Sequence, residues 1–238
     1  MNSKLSVVIP SFNEEERIRD TLDKYCECFS QHGNNWEIIV VMDGCNDHTA
    51  RIVSDFSRKR SEVKFLEFSE RLGKGGAFLA SLPYAKGDLI GYIDADGSSV
   101  ASELIKLVTY VESEGWQGVI GSRWVEGAEI SENQGFSRRF LSRGLNVWVR
   151  VLFGLRFKDT QCGAKVFTRE LIESCLPHIT IHGFMFDVNL LYVATKKGFK
   201  IKEVPLKWRN VSGSKVGFSN MLMMFWDMCR LRLKRWRL

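Results

Sequence analysis

The stretch GDLIGYIDADGSS, residues 87–99, places two carboxylates directly after an apolar run. The composition of Leu89–Ile93 is typical of a strand that is covered on both faces. Asp94 and Asp96 follow it, one residue apart, and Gly97 permits a backbone turn that brings both side chains into one cleft. Carboxylate oxygens are the ligands that Mg²⁺ and Mn²⁺ prefer. The stretch therefore predicts a divalent-cation site at a strand end, against the plainer interpretation of a turn with two solvated aspartates.

Strands of the same kind stand earlier in the chain. Residues 4–10, KLSVVIP, and residues 36–42, WEIIVVM, are rich in Val and Ile. Segments with helical periodicity alternate with these strands and with a strand at 63–68, which predicts an α/β fold with a doubly wound, mainly parallel sheet over about the first 125 residues. In such a sheet, ligands bind beyond the carboxyl ends of the strands. We expect the polar residues that follow the first two strands to share one edge with Asp94 and Asp96: they are Asn13, Glu14 and Asp43.

Two further segments have both a functional and a structural interpretation. RLGKGGAF, residues 71–78, lacks the spacing of the phosphate-binding and dinucleotide-binding glycine motifs. A glycine-rich helix start near Lys74 can approach an anion, but a simple loop explains the segment equally well. Asp187, in the segment MFDVNLLY, stands near the start of a predicted helix, where a carboxylate commonly serves as a cap.

The composition is that of an ordinary globular protein. With 238 residues, of which 45% are hydrophobic, the chain can bury the core of one domain. It contains no uninterrupted apolar run of about 18 residues and no charged leader before a long apolar stretch, so we expect neither a membrane span nor a signal peptide. The six cysteines are scattered without a CxxC pair, which is typical of reduced thiols in a cytosolic protein.

The formal charge of +6 is concentrated in two segments. Residues 136–157 contain five arginines and no acid, and residues 221–238 contain five basic residues and one acid. A helix predicted over 138–154 and another over 218–238 each combine an apolar stripe with basic residues, a pattern typical of helices that rest on a membrane surface. For the first, a core or dimer helix is the alternative. Because no nucleic-acid-binding motif accompanies the charge, we do not expect a nucleic acid as partner.

Several motifs together resemble one enzyme family. The segments VVIPSFNEEERI, VVMDGCNDHTARIV, LGKGGAFLAS and YIDADGSS, in this order, resemble the family 2 glycosyltransferases of GT-A fold. In the second half, the chain is similar to the branch of dolichyl-phosphate β-glucosyltransferases and dolichol-phosphate mannose synthases, and the former are the closer match. The segments that carry this similarity are VIGSRW, FKDTQCGAKVFTREL, FMFDVNLLYVATKKGFKIKEVPLKW and VSGSK. The resemblance extends from about Ser6 to Lys215.

The resemblance implies a role for each matching residue. Asp94 and Asp96 would bind Mg²⁺ or Mn²⁺ on a sugar nucleotide, with UDP-glucose favoured and GDP-mannose as the alternative. The nucleotide would lie along Pro10, Phe12, Asn13, Glu14, Asp43, Lys74 and Asp94. The acceptor phosphate would meet Arg123, Arg138, Ser142 and Lys165, and the sugar or a closing loop would meet Asp159 and Gln161. The candidate catalytic residues are Asp96, Arg123 and Arg138.

Two positions depart from the family's pattern. The family often has two adjacent acids where this chain has Met42 and Asp43. In the mannose synthases a glutamine can follow the DxD motif as a further metal ligand, and here Ser98 stands in its place. Both departures bear on how the chain tells uridine from guanosine.

The implied acceptor is a polyprenyl or dolichyl phosphate, whose second ionisation has a pKa of about 6. At neutral pH this nucleophile is already largely an anion, so none of the four histidines is required as a general base. The protein must instead hold two anions together with cations. The resemblance further implies inversion at the anomeric carbon and a peripheral position on the cytoplasmic face of a membrane.

These expectations describe one GT-A domain over residues 1–238. Residues 1–125 would bind the nucleotide sugar, residues 126–217 would face the acceptor, and residues 218–238 would form the basic C-terminal helix. One alternative is a transferase to a saccharide or lipid-linked sugar, which needs a carboxylate base such as Asp159. Another is a catalytically inactive, membrane-associated nucleotide-sugar-binding protein, which the intact DxD motif disfavours.

Overall fold

Strands and helices alternate along the chain. The computed structural model describes residues 3–33, 35–131, 136–209 and 218–233, with the backbone alone for 136–142 and 218–222. The strands are β1 (Leu5–Ser11), β2 (Trp36–Asp43), β3 (Val63–Phe68), β4 (Leu89–Tyr92), β5 (Gly118–Ser122), β6 (Glu129–Ser131), β7 (Lys165–Thr168), β8 (Ile201–Pro205) and β9 (Lys207–Arg209). The helices are α1 (Ile18–Gln31), α2 (Thr49–Ser57), α3 (Gly73–Ser81), α4 (Ala101–Glu114), α5 (Phe136–Phe153), α6 (Arg169–Cys175), α7 (Phe186–Lys196) and α8 (Phe218–Leu233).

In the described part of the chain, seven strands form one sheet in the order β3-β2-β1-β4-β7-β5-β8. Neighbouring strands are parallel except at β7, which runs antiparallel to β4 and β5. The predicted α/β fold with a mainly parallel sheet is confirmed. The chain passes from β1 outward to β3 and then places β4 on the other side of β1. The strand order therefore reverses between β1 and β4, where sheets of this type bind ligands.

Both faces of the sheet are covered, so its strands alternate between two cores. On β1, Leu5, Val7 and Ile9 face a core built with α1, α2 and α4, while Val8 faces a core built with α3, α6 and α7. All four side chains are fully buried. Each such burial stabilises the fold by about 1.5–3 kcal/mol. The sheet is thus wound with helices on both faces, as its uniformly apolar strands predict.

The helix predicted over 138–154 corresponds to α5, which ends at Phe153, and its two sides have different surroundings. Val149 and Phe153 are buried in the second core. Asn146 is also buried, and its side-chain oxygen accepts hydrogen bonds from the backbone and hydroxyl of Thr160, both at 3.0 Å. Trp148, in contrast, is 61% exposed. The interpretation as a surface helix is therefore right for one face and wrong for the other, which belongs to the core.

The helix predicted over 218–238 corresponds to α8 as far as Leu233, and residues 234–238 lie outside the described residues. A face not singled out in the sequence holds α8 to the protein, through Met224, Met228 and Leu231. The apolar stripe that was predicted to face the surroundings includes Phe225, Trp226 and Leu233, and these side chains are exposed. Because a helix has several faces, α8 can pack against α5 and still present aromatic side chains to its surroundings.

At the amino-terminal edge of the sheet, Glu37 joins four neighbouring segments. Its carboxylate accepts hydrogen bonds from the Ser6 hydroxyl at 2.7 Å and from the backbone of Lys86 at 2.6 Å. The ammonium group of Lys64 lies 2.6 Å from its other oxygen. Glu37 is only 3% exposed, so this carboxylate depends on these partners for its solvation. The bonds tie β1, β2, β3 and the approach to β4 into one register.

We expect Glu37→Gln to lower the free energy of unfolding by about 1–3 kcal/mol at pH 7, because it leaves Lys64 without its partner. Burial raises the pKa of Glu37, but the hydrogen bonds from Lys64, Ser6 and Lys86 outweigh it, so the pKa lies below its usual value. The stabilisation is complete above the unfolded-state pKa of about 4.3 and is lost as the pH falls through the lower folded-state value. Denaturant unfolding should therefore show the two proteins converging below about pH 4. The exposed Glu67→Gln on β3 is the control, and equal stability of Glu37→Gln and the unsubstituted protein at pH 7 would contradict the assignment.

Candidate active site

The predicted polar residues meet at one edge of the sheet. β1 is parallel to both β2 and β4, so the residues that follow these strands leave the sheet on the same side. Pro10 is the penultimate residue of β1, and Asp43 is the last residue of β2. The segments that follow β1 and β4 carry Phe12, Asn13, Glu14, Asp94 and Asp96. This edge includes the place where the strand order reverses. The expectation that these residues share one edge of the sheet is therefore confirmed, and their roles stay predictions.

The loop after β1 is braced against the loop after β2. Asn13 adopts a φ of 53°, a left-handed conformation that asparagine tolerates better than most residues. Its side chain exchanges hydrogen bonds with Asn46, at 2.6 Å from the amide and 2.9 Å to the carbonyl oxygen. The backbone of Glu14 donates to the Thr49 hydroxyl at 2.7 Å, and the Glu14 carboxylate pairs with Arg17. These two predicted nucleotide contacts thus also hold the shape of the loop.

Phe12 forms an aromatic platform at this edge. The guanidinium carbon of Arg71 lies 3.5 Å from the centroid of its ring, a stacked cation–π contact. Arg71 also approaches the Asp43 carboxylate, at 3.4 Å between Nε and Oδ2. In the sequence, Arg71 stands out only as part of the glycine-rich segment. Its stacking partner is almost sixty positions away, and no local spacing signals such a contact.

Asp43 holds the start of α3. Its carboxylate accepts hydrogen bonds from the backbone N–H groups of Leu72 and Gly73, the latter at 3.1 Å. The first N–H groups of a helix have no partner within the helix, and the helix dipole favours a negative charge there. Asp43 is 3% exposed and was expected near the base and ribose. In the structure its described partners belong to the glycine-rich turn and to Arg71, so it positions that turn from the end of β2.

The glycines of RLGKGGAF are required by packing. At Gly75 a Cβ atom would overlap Phe186 on α7, so α3 and α7 can approach this closely only without a side chain there. Gly73 has a φ of +79° and lies against the carbonyl oxygen of His182, and Gly76 donates its N–H to that oxygen at 2.9 Å. The segment is therefore neither a plain loop nor a known phosphate-binding motif. It is a close helix-to-helix contact that carries Lys74 into the site.

Asp94 is confined on two sides. The ammonium group of Lys74 lies 3.0 Å from its Oδ1, and a Cβ atom at Gly163 would overlap its Oδ2. Burial disfavours the charged form of Lys74, but the negative charges of Asp94 and Asp187 outweigh burial and raise the pKa of Lys74 above its usual value. Lys74 thus carries a permanent positive charge next to the first DxD carboxylate.

Asp96 is oriented by the turn that follows it. Its Oδ1 accepts a hydrogen bond from the backbone of Ser98 at 2.9 Å, across Gly97, which has a φ of +70°. This φ is one that glycine adopts at no steric cost. Tyr25 lies close enough that Asp96 and then Asp94 add to burial in raising its pKa. Both carboxylates are thus within electrostatic reach of Tyr25, as the turn predicted at Gly97 allows.

Lys165 and Asp187 lie beneath these groups. The Lys165 ammonium is 2.8 Å from Asp187 Oδ1, donates to the carbonyl oxygen of Cys162, and is 1% exposed. Lys165 was expected to contact an acceptor phosphate directly, and its burial and internal partners assign it a supporting position instead. Asp187 is in the first turn of α7 but makes no capping hydrogen bond, so the capping interpretation is wrong. Its partners are lysines more than twenty positions away in sequence.

Arg123 and Asp159 form a bidentate ion pair. Nε and Nη2 of Arg123 donate to the two oxygens of Asp159 at 2.7 and 2.9 Å, and Asp159 is fully buried. Burial raises the pKa of Asp159, but the charge and hydrogen bonds of Arg123 outweigh burial and lower it. Asp94 is among the charges that raise the pKa of Arg123, which places this pair within electrostatic reach of the carboxylates. Asp159 thus remains ionised and is a weak proton acceptor.

The other predicted residues are less fully described. Gln161 donates from its side-chain amide to the backbone oxygen of Phe184 at 3.4 Å, which links the loop before β7 to the loop before α7. Arg138 and Ser142 lie in α5, in the part where the side chains are outside the described residues. Their predicted contacts with an acceptor phosphate stay predictions.

The donor set suits a hard divalent cation. Within the described ranges, no group of three or more His, Cys, Asp or Glu side chains is arranged to hold a metal ion. Asp94 and Asp96 supply oxygens, and the buried Ser98 hydroxyl, which has no hydrogen-bond partner among the described residues, adds a polar atom beside Asp96. Mg²⁺ is commonly bound by one or two carboxylates together with substrate phosphates and water. The residues therefore fit such an ion if a phosphate ligand completes its coordination.

We expect Gly163→Ala to displace the Asp94 carboxylate, because the new methyl group would occupy the position of Oδ2. Loss of such a supporting contact weakens metal binding roughly 10- to 100-fold. The decrease should appear in a titration of Mn²⁺ by electron paramagnetic resonance, while the thermal unfolding temperature changes little, since a side-chain end can turn aside. Gly144→Ala is the control, because nothing lies within 4 Å of its Cβ position. Unchanged Mn²⁺ affinity in Gly163→Ala would show that Asp94 is not a metal ligand.

Comparisons with known proteins show which family of sequences this chain is similar to. The sequence model of the family described as "Glycosyl transferase family 2" matches residues 6–176. A dolichyl-phosphate beta-glucosyltransferase of Trichomonas vaginalis is 34% identical over 238 residues, which are 95% of this chain and 70% of that protein. The dolichyl-phosphate beta-glucosyltransferase of Saccharomyces cerevisiae is 34% identical over 233 residues, which are 90% of this chain and 70% of that protein.

Solved structures agree on the fold. The glucosyl-3-phosphoglycerate synthase of Mycobacterium tuberculosis, crystallised with Mn²⁺, UDP and phosphoglyceric acid, has a TM-score of 0.71 at 20% identity. The match covers 98% of this chain and 78% of that one. The expected GT-A fold is confirmed. Together with the family match over residues 6–176 and the identity to its members, it establishes that this chain belongs to glycosyl transferase family 2.

Proposed function

We propose that this protein transfers glucose from a nucleotide sugar, UDP-glucose, to the phosphate of dolichyl phosphate. The observation that carries the proposal is the meeting of two carboxylates and two cationic side chains at one sheet edge. Asp94 and Asp96 lie there, with the Lys74 ammonium 3.0 Å from Asp94 and Arg123 within electrostatic reach of Asp94. Relatives at 30–34% identity that bear the name dolichyl-phosphate beta-glucosyltransferase support this substrate pair.

The nucleotide side of the reaction belongs to residues 1–125. The Phe12 ring with Arg71 above it offers a flat surface for a base, and the braced loop of Asn13 and Glu14 borders it. Lys74 provides the charge for a diphosphate, since an ammonium group binds phosphate as a point charge. Asp43 serves this binding by fixing the turn that carries Lys74.

Asp94 and Asp96 would hold Mg²⁺ or Mn²⁺, which neutralises the diphosphate as it leaves. The Mycobacterium tuberculosis synthase was crystallised with Mn²⁺ and UDP and also with Mg²⁺ and UDP. This supports a divalent cation at the corresponding edge here. The confinement of Asp94 between Lys74 and Gly163 sets where its carboxylate can offer an oxygen.

The acceptor side belongs to residues 126–217 together with Arg123. A phosphate monoester with a second pKa of about 6 is already ionised at neutral pH, so the protein needs to position it rather than deprotonate it. Arg123 has its orientation fixed by Asp159 and its guanidinium carbon 5.1 Å from the ring centroid of Trp208. Arg138 and Ser142 would complete the phosphate contacts. Attack from the side opposite the diphosphate would invert the anomeric carbon.

A saccharide acceptor would need a carboxylate base, and Asp159 was the candidate. Its ion pair with Arg123 lowers its pKa and occupies both of its oxygens, so it suits that role poorly. The structure therefore favours an acceptor that is already an anion. An inactive nucleotide-sugar-binding protein would have no need for the ion pairs that fix cations on the acceptor side.

The protein would meet its lipid at the surface of a membrane, on the cytoplasmic face. α5 packs against α8, and both helices expose large apolar side chains. These side chains are Val147, Trp148 and Val151 on α5, and Met223, Phe225, Trp226 and Leu233 on α8. We call this set the α5–α8 apolar face. Within the described ranges, no helix is long and apolar enough to cross a bilayer. Aromatic side chains next to arginines are typical of a surface that inserts shallowly among lipid headgroups.

The proposed reaction has a direct assay. With Mn²⁺, UDP-glucose and dolichyl phosphate, the protein should form a glucosylated lipid that can be extracted into organic solvent, whereas GDP-mannose should serve poorly and dolichol without phosphate should not serve. Asp94→Ala and Asp96→Ala should lower the rate by roughly 10²-fold or more, since each removes charge stabilisation of the leaving group. Asp88→Asn, at the opposite end of β4, should retain activity. No transfer to dolichyl phosphate from UDP-glucose would refute the proposal.

The membrane contact is tested separately. Replacing Trp148 and Trp226 by glutamate should reduce co-sedimentation with vesicles that contain anionic phospholipid, because the two side chains are 61% and 69% exposed on the α5–α8 apolar face. Tyr84→Glu is the matched control, since Tyr84 is a 54% exposed aromatic residue on a turn after α3. If the tryptophan-substituted protein and the Tyr84→Glu control bind the vesicles equally well, the α5–α8 apolar face is not the contact surface.

A further inference from the structure

Lys74 lies between two carboxylates of different kinds. Its ammonium group is 3.0 Å from Asp94, a proposed metal ligand, and 3.7 Å from Asp187, which follows no strand end and was not assigned to the reaction. The side chain of Lys74 is 17% exposed, and that of Asp187 is 2% exposed. The more open of the two ion pairs is thus the one with Asp94, whose side chain is 28% exposed.

Asp187 also binds a second cation. Its other oxygen is 2.8 Å from the Lys165 ammonium, so one buried carboxylate joins two lysines. Removing one partner of a buried ion pair is costly because it leaves an uncompensated charge. Asp187 and Lys165 are therefore held in place by each other. Lys74 has one partner in this buried pair, Asp187, and one at the edge of the site, Asp94.

The backbone below Lys74 cannot easily move. Gly75 packs directly against Phe186, the residue before Asp187, and Gly76 is hydrogen-bonded to the loop before α7 at 2.9 Å. Any exchange of partners must therefore come from the side chain of Lys74. Its flexible four-carbon stem allows such a rotation.

A divalent cation at Asp94 would meet an oxygen that Lys74 already holds. Two positive charges compete for this carboxylate, and a nucleotide diphosphate offers Lys74 another anionic partner nearby. We propose that Lys74 is an exchangeable counter-ion of Asp94 and that Asp187 is the positioning residue for this exchange. Without ligands Lys74 neutralises Asp94; with the cation and the diphosphate bound it pairs with phosphate oxygens, and Asp187 keeps it within reach. This inference rests on the proposed function, because it takes a sugar nucleotide and its cation as the ligands.

The exchange predicts changes of opposite sign for the cation and the nucleotide. In Lys74→Met, which keeps most of the side-chain volume, Mn²⁺ alone should bind more tightly, by roughly threefold or more, because its competitor is gone. UDP in the presence of Mn²⁺ should bind more weakly, by about tenfold, because the diphosphate loses a charge-assisted contact. Mn²⁺ would be titrated by electron paramagnetic resonance and UDP by calorimetry. Lys64→Met removes a paired lysine at the opposite edge of the sheet and is the control.

The double variant decides whether Asp187 acts through Lys74. Asp187→Asn alone should weaken Mn²⁺ binding, because Lys74 then has Asp94 as its principal partner. In the Lys74→Met background, Asp187→Asn should no longer change Mn²⁺ affinity. If Asp187 acted only by its own charge on the cation, the same loss would persist in that background, and the positioning role would be wrong. Asp187→Glu, which keeps the charge, should restore much of the Mn²⁺ affinity.

The outcomes separate this inference from the function it rests on. Weaker or unchanged Mn²⁺ binding in Lys74→Met would overturn the exchange even if Asp187→Asn fails to fold, because Lys74 is partly exposed and its replacement leaves the core intact. If the unsubstituted protein forms the glucosylated lipid while Lys74→Met shows no gain in Mn²⁺ affinity, the proposed function stands and the exchange is refuted. If the unsubstituted protein binds neither Mn²⁺ nor UDP, both are refuted.

Discussion

The carboxylate of Asp94 is held between the ammonium group of Lys74 and the backbone of Gly163, and the candidate site depends on this confinement. A carboxylate at the end of a buried strand needs a compensating charge. Here that charge comes from α3, not from the strand's own neighbourhood. The counter-ion is in turn held by Asp187 and, through it, by Lys165. The site is therefore a set of alternating charges that starts in the core and ends at the sheet edge.

Helix packing makes this set of charges possible. The glycine-rich turn lets α3 approach α7 so closely that a side chain at Gly75 would overlap Phe186, and Asp43 fixes the first N–H groups of α3 from the end of β2. The glycine-rich helix start suggested an approach to an anion or a simple loop, and the physical requirement for glycine is close contact between helices. Residues of the candidate site on β2, α3 and α7 and in the segment after β4 are thus held in one place by packing on both sides of the sheet. On the acceptor side, the guanidinium group of Arg123 is held in place by two hydrogen bonds to the carboxylate of Asp159.

The sequence predicted the features that depend on local pattern. Apolar runs of Val and Ile marked β1 and β2, and the alternation with helices predicted a parallel sheet and hence one edge for Asn13, Asp43 and Asp94. The pairings at that edge were not predictable, because they join residues far apart in sequence. Lys74 is more than a hundred positions away from both Asp187 and His182 in the sequence. These residues come together only because α7 packs against α3. The buried face of α8 was missed for a related reason: a hydrophobic stripe does not show which side of a helix meets the core, and here that side is the methionine-rich one.

We propose that the sheet edge with Asp94 and Asp96 binds a divalent cation and a nucleotide diphosphate with residues already in place. A crystal structure with Mn²⁺ and UDP is the decisive test. We expect Mn²⁺ coordinated by Asp94 and Asp96, the uracil ring beside Phe12, and the Lys74 ammonium on a diphosphate oxygen instead of on Asp94. Mn²⁺ bound away from both aspartates, or Lys74 still paired with Asp94 when the diphosphate is present, would contradict it.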